Sequence, residues 1–153
     1  MISIGIDPGK NIGLAIIHHR FDKNPLVFYI DQKQFITTMK QISGYDDFQR
    51  RYKITIEKVH TMPNDGRKSA FIFGQSVGFI KGVLQTLGFN NINEVSPQVW
   101  RKFTNTHSKQ DSIDFVNMNY KNAVLKHTPR CKVDNHNMAD ALCLAHFGAE
   151  DLL

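Results

Sequence analysis

Three acidic side chains stand where the surrounding pattern leaves room for chemistry: Asp7, Glu57 and Asp140. Asp7 closes Ile2-Ser3-Ile4-Gly5-Ile6-Asp7, in which isoleucine alternates with small or polar residues at the period of a β-strand. That alternation sets the carboxylate at the strand's last position, on the face without bulk, where a metal ion or a phosphate can come close. The plainer role open to it is to cap the Pro8-Gly9 turn. Glu57 lies near the end of a second alternating run, residues 52–59. Asp140 sits in the apolar helical stretch His136-Asn137-Met138-Ala139-Asp140-Ala141-Leu142. A helix advances about 3.6 residues per turn, so Asn137 and His136, three and four positions earlier, share its face. Burying an Asp there is costly without a partner or a cation; its alternative place is the rim of the core.

The elements that must carry these acids follow from periodicity and punctuation. Residues 2–7 and 12–19 read as two strands, joined as a hairpin through Pro8-Gly9 with Gly13 beyond it. A third strand covers 26–30, after the loop Asp22-Lys23-Asn24-Pro25. Residues 34–50 read as a helix that Gly44 interrupts, followed by the strand at 52–59. A long helix spans 68–87 with Gly74, Gly78 and Gly82 four apart on one side. Helical glycine costs about 1 kcal/mol relative to alanine, so that stripe implies a close neighbour: another helix, a dimer mate, a nucleic-acid backbone, or the chain's own sheet. Beyond it come a short strand at 92–95, a helix started by Ser96-Pro97 and carrying Val99, Trp100 and Phe103, and a helix that Ser108 caps. The last helix covers 138–147. The order β-β-β-α-β-α-β-α-α-α predicts a single α/β domain with a mixed sheet.

Charge adds a direction. The chain carries a net charge of +5 over 153 residues. Between positions 101 and 132, Arg101, Lys102, Lys109, Lys121, Lys126, Arg130 and Lys132 face only Asp111 and Asp114, so that segment holds the whole excess. A basic surface gathered in one segment suits an anionic partner such as nucleic acid; a solvated lysine-rich face is the plainer alternative. With 41% hydrophobic and 22% charged residues the composition is that of a globular protein. No apolar run approaches the roughly 18 residues of a membrane span, and the chain opens on a strand rather than a secretory signal. Cys131 and Cys143 have neither zinc spacing nor the number for a disulfide framework. A reducing, cytoplasmic setting and no membrane partner are expected.

Ile4-Gly5-Ile6-Asp7-Pro8-Gly9 with Gly13, then Ile54-Thr55-Ile56-Glu57, then Ala139-Asp140-Ala141-Leu142, resembles the RuvC family of Holliday junction resolvases. Within that family the chain resembles the small RuvC-like nucleases of phages and related elements. Phe73-Gly74-Gln75-Ser76-Val77-Gly78 and Val95-Ser96-Pro97-Gln98-Val99-Trp100-Arg101-Lys102 extend the resemblance over nearly the whole chain. It implies an RNase H-like fold with a five-stranded mixed sheet flanked by helices, the first and fourth strands side by side and the last helix crossing their ends. It implies a metal-dependent endonuclease acting on four-way DNA junctions as a homodimer, with the long helix as interface. Hydrolysis of a phosphodiester needs an activated water and neutralised charge on the leaving oxygen. Two divalent cations about 4 Å apart can supply both, and oxygen ligands suit Mg²⁺ or Mn²⁺. Asp7 is then the bridging ligand, with Glu57 and Asp140 each holding one ion.

The family usually has an acid or a histidine three residues before the last aspartate, where this chain has Asn137. Phage-like members place it four before, which makes His136 the fourth catalytic group, as ligand or general base. Asn137 as a weaker oxygen ligand, or His136 as a plain surface residue, are the alternatives. Where the family presents a wedging aromatic after the glutamate strand, this chain has His60, with Met62 beyond it. DNA contacts are expected from His60, Arg67, Lys68, Lys102, Lys109, Arg130 and Lys132. Three other readings compete. One is a less selective cutter of flaps and branched DNA, and another is a non-catalytic junction binder. The third is the phosphate loop of sugar-kinase and actin-like ATPases, which needs two domains around a nucleotide.

Overall fold

The computed structural model describes residues 1–19, 22–44, 52–58 and 66–150. Its strands are β1 (Ile2–Asp7), β2 (Ile12–His18), β3 (Asp22–Ile30), β4 (Tyr52–Glu57) and β5 (Ile92–Val95). They form one sheet in the order β3-β2-β1-β4-β5. The hairpin pairs β1 with β2 antiparallel, from Ile2 opposite His18 to Asp7 opposite Gly13. On its other edge β1 runs parallel to β4, with Ile6 beside Ile56. The adjacency of first and fourth strands is therefore as the resemblance implied.

The pleat sorts the sheet's side chains. Ile4, Ile6, Ile12, Leu14, Ile54 and Ile56 face one side. There they pack on Phe35 and Met39 of α1 (Gln32–Ser43) and on Ile80 and Leu84 of α2 (Arg67–Thr86). The opposite face carries the small residues of β1 and β2 and receives α5 (His136–Ala149). α3 (Pro97–Thr104) and α4 (Lys109–Asn119) flank it, adding Trp100, Ile113 and Val116 to that core. Ala139, Ala141, Leu142, Cys143, Leu144 and Ala145 are all fully buried, because α5 is apolar nearly all round. Gly5 allows this packing: a Cβ there would land on the backbone carbonyl of Ala141 and the amide of Ala145. Gly13 does the same beneath the carbonyl of Asn137. Two of the three glycines in the first motif, Gly5 and Gly13, thus let the helix bearing Asp140 lie against the hairpin bearing Asp7.

Several boundaries differ from the sequence expectation. β3 begins at Asp22, so Asp22-Lys23-Asn24-Pro25 is strand rather than loop. β3 is an edge strand, where a proline's missing N–H breaks no ladder. α1 starts two residues earlier than its apolar spacing suggested, because Asp31 and Gln34 form a reciprocal capping box. It ends at Gly44, and the expected continuation to residue 50 lies outside the described residues. α5 starts at His136, where the side chain of Asn135 accepts from the N–H groups of Asn137 and Met138.

Candidate active site

Asp7 and Glu57 end neighbouring parallel strands, one residue beyond the pair Ile6–Ile56. By alternation from Gly5 and Thr55, which both face α5, their carboxylates rise on the helix side of the sheet. Asp140 comes down from α5 with its side chain only 8% exposed. Three carboxylates from β1, β4 and α5 thus meet at one end of the sheet.

Their electrostatics reflect burial first. The carboxyl of Asp7 is pushed well above the usual carboxylate range, first by burial and then by the charges of Glu57 and Asp140. Asp140 is raised as well, by burial, against lowering pulls from the Ser112 hydroxyl and then from Arg101. Like charges brought together raise one another's pKa unless a cation separates them. The Oδ1 atom of Asp140 is buried without a hydrogen bond, an acceptor still open inside the cluster.

The turn after Asp7 is pinned from the far side of the sheet. Ser76 of α2 accepts a hydrogen bond from the Gly9 N–H at 3.1 Å and donates one to the Gly9 carbonyl at 2.9 Å. Glu57 is held by Trp100, whose Nε1–H donates to Oε2 at 2.9 Å. Arg101, the next residue, places Nη2 3.6 Å from Asp140 Oδ2 and its guanidinium 4.9 Å from the Trp100 ring centre. Neither Trp100 nor Arg101 stands among the site residues expected from sequence. Trp100 reads there as an apolar helix position, and Arg101 as one cation among seven. Their signal was the segment 95–102 of the resemblance, which carries both.

His136 stands at the start of α5, its pKa pushed down mainly by burial and further by the positive charges of Lys109 and Arg101, with Asp140 opposing. The ring is therefore neutral near pH 7, the form that can accept a proton or bind a cation. The Asn137 side-chain amide instead donates to the Tyr29 hydroxyl at 3.4 Å, toward β3. Lys109 opens α4 close enough to affect both His136 and Asp140. Lys102, Arg130 and Lys132 are exposed, and Arg67 and Lys68 are exposed on the first turn of α2. His60 and Met62 lie outside the described residues.

Among the described residues, no three His, Cys, Asp or Glu side chains converge closely enough to hold a metal ion as they stand. The donor chemistry nevertheless fits a hard divalent cation, since all three acids offer oxygen and Asp140 Oδ1 makes no well-formed hydrogen bond. Also among the described residues, no helix is long and apolar enough to cross a membrane.

No protein-family model matches the chain, and no curated protein matches its sequence. Solved structures do match. Thermus thermophilus RuvC in complex with a Holliday junction substrate superposes with a TM-score of 0.64 at 17% identity, covering 99% of this chain and 96% of that one. A second Thermus thermophilus RuvC structure gives 0.61 at 16% identity, with the same coverage. Together with the strand order and the crossing of α5 over β1 and β4, these matches establish that the chain has a RuvC-like fold of the RNase H-like class.

Proposed function

We propose that this protein is a divalent-metal-dependent endodeoxyribonuclease that resolves four-way DNA junctions by paired nicks, as a single-domain protomer of a homodimer in the cytoplasm. The observation that carries the reading is the gathering of Asp7, Glu57 and Asp140 at one end of the sheet, with the Asp7 pKa driven up by burial and then by the charges of the other two. Mg²⁺ or Mn²⁺, when bound, would supply water activation and charge neutralisation at the scissile phosphate. Asp7 would bridge two such ions, with Glu57 and Asp140 each holding one. Trp100 fixes the Glu57 carboxylate in place. The neutral ring of His136 suits a proton acceptor or a further ligand. Lys102, Lys109, Arg130 and Lys132 would grip phosphates, with Arg67 and Lys68 as further cationic contacts and His60 as a stacking group.

A four-way junction offers two equivalent strands, so one active site per chain calls for a twofold dimer. The surface of α2 supports this. Only Ser76, Ile80 and Leu84 of its twenty residues are buried, while Phe71 is 66% and Phe73 41% exposed. A Cβ added at Gly74, Gly78 or Gly82 would meet nothing within 4 Å, so packing on the chain's own described residues does not account for the stripe. Gly78→Leu should therefore leave the monomer folded, abolish the dimer in sedimentation, and turn paired nicking into single nicking. A wild type that sediments as a monomer at micromolar concentration yet cuts both strands together would refute the dimer.

The reading as a whole is tested by cutting a synthetic four-way junction beside a flap and a linear duplex of the same arms. Preference for the four-way junction is expected. Equal cutting of the flap would make the protein a general branched-DNA nuclease, and binding without cutting would make it a junction-binding protein.

A further inference from the structure

Arg101 lies where the three carboxylates meet. The guanidinium stands beside Asp140, with Nη2 3.6 Å from Oδ2. Its guanidinium stacks over Trp100, which holds Glu57. Two consecutive residues of α3 thus engage both Glu57 and Asp140.

The ion pair is incomplete. At 3.6 Å the Arg101–Asp140 contact is longer than a charge-assisted hydrogen bond, normally about 2.8 Å. Arg101 Nε and Asp140 Oδ1 are both buried with no hydrogen bond. A buried pair is favourable only with good geometry and its remaining donors and acceptors satisfied. This one is satisfied in neither respect, so it is weakly held. Among the described residues, the side chains as they stand form no ready three-ligand metal site.

We propose that Arg101 is the resident counter-ion of the carboxylate cluster in the metal-free protein, and that a divalent cation competes with its guanidinium for Asp140. The inference rests on the metal-dependent reading above and adds a role for this residue. Arg101 keeps the acids from repelling one another apart before metal arrives, and it is anchored beside the site on Trp100 after displacement. Removing the guanidinium takes away a competitor, so metal affinity rises while the metal-free fold weakens. A purely structural arginine would give the opposite sign for affinity, because a disordered cluster binds metal less well.

Mn²⁺ binding to the DNA-free full chain, measured by titration calorimetry with melting temperatures in chelator and in saturating Mn²⁺, tests this for wild type, Arg101→Gln and Arg101→Lys. Arg101→Gln should bind Mn²⁺ about tenfold more tightly, a usual size for coupled sites, and should melt lower in chelator with a larger rise on adding Mn²⁺. Arg101→Lys keeps the charge without the flat contact on Trp100 and should fall between; it carries the comparison if Arg101→Gln does not fold without metal. Affinity equal to or weaker than wild type in the folded variants overturns the counter-ion role and leaves the metal-dependent reading standing. Absence of Mn²⁺ binding in all three proteins overturns both.

Discussion

Asp7→Asn and Glu57→Gln should each lower junction cleavage by about a thousandfold or more, while junction binding persists or tightens. Each removes an oxygen donor from the cluster, but phosphate contacts by lysine and arginine supply most of the affinity for DNA. Stability separates loss of chemistry from loss of fold. Asp7 has a folded-state pKa raised by burial, then by Glu57 and Asp140. The folded protein therefore holds this proton more tightly than the unfolded chain does. Ionising Asp7 costs stability as pH rises from its unfolded value toward the raised one, and the full cost is present above that. At neutral pH in chelator, Asp7→Asn removes the cost and should melt no lower than wild type. An Asp7→Asn protein that cuts at near wild-type rate would remove Asp7 from the catalytic machinery. One that loses cleavage and melts many degrees lower would give Asp7 a structural role.

The largest stability effect is expected at Gly5. A Cβ at this position falls on backbone atoms of Ala141 and Ala145, which have no flexible end to swing aside. Gly5→Val should therefore cost about 3 kcal/mol or more, a large share of the roughly 5–15 kcal/mol that holds a small domain together. Gly5→Ala should act in the same direction with a smaller loss. Urea denaturation measures both, and a wild-type midpoint for Gly5→Val would contradict the close seating of α5 on β1. Cleavage should fall with stability, because the same contact sets Asp140 against Asp7.

The first hairpin and β4 were legible because Ile2, Ile4 and Ile6, and Ile54 and Ile56, alternate strictly with residues that face the other side of the sheet. Which strands lie side by side is a long-range property that alternation does not encode; the β1–β4 pairing was expected from resemblance alone. β3 was read short because Pro25 looks like a breaker, and only its edge position makes it harmless. The acids were found by their places in these elements. Trp100 and Arg101 were not, since an indole N–H aimed at Glu57 looks in sequence like any apolar helix position. Gly5 reads in sequence as a small residue on the face of Asp7, and Gly13 as part of the hairpin's tight return. Their role beneath Ala141, Ala145 and Asn137 depends on a helix more than a hundred residues away in the chain.

If the three carboxylates form a metal-dependent cutting centre, cleavage requires an added divalent cation. The most direct measurement incubates the purified full chain with a synthetic four-way junction in chelator, then with Mg²⁺ or Mn²⁺ added back across a range of concentrations. No product in chelator, and two symmetrically placed nicks whose rate rises with either ion and saturates, is the expected result. Cleavage at an undiminished rate in chelator would contradict the account, as would a junction that stays intact at saturating Mg²⁺ and Mn²⁺.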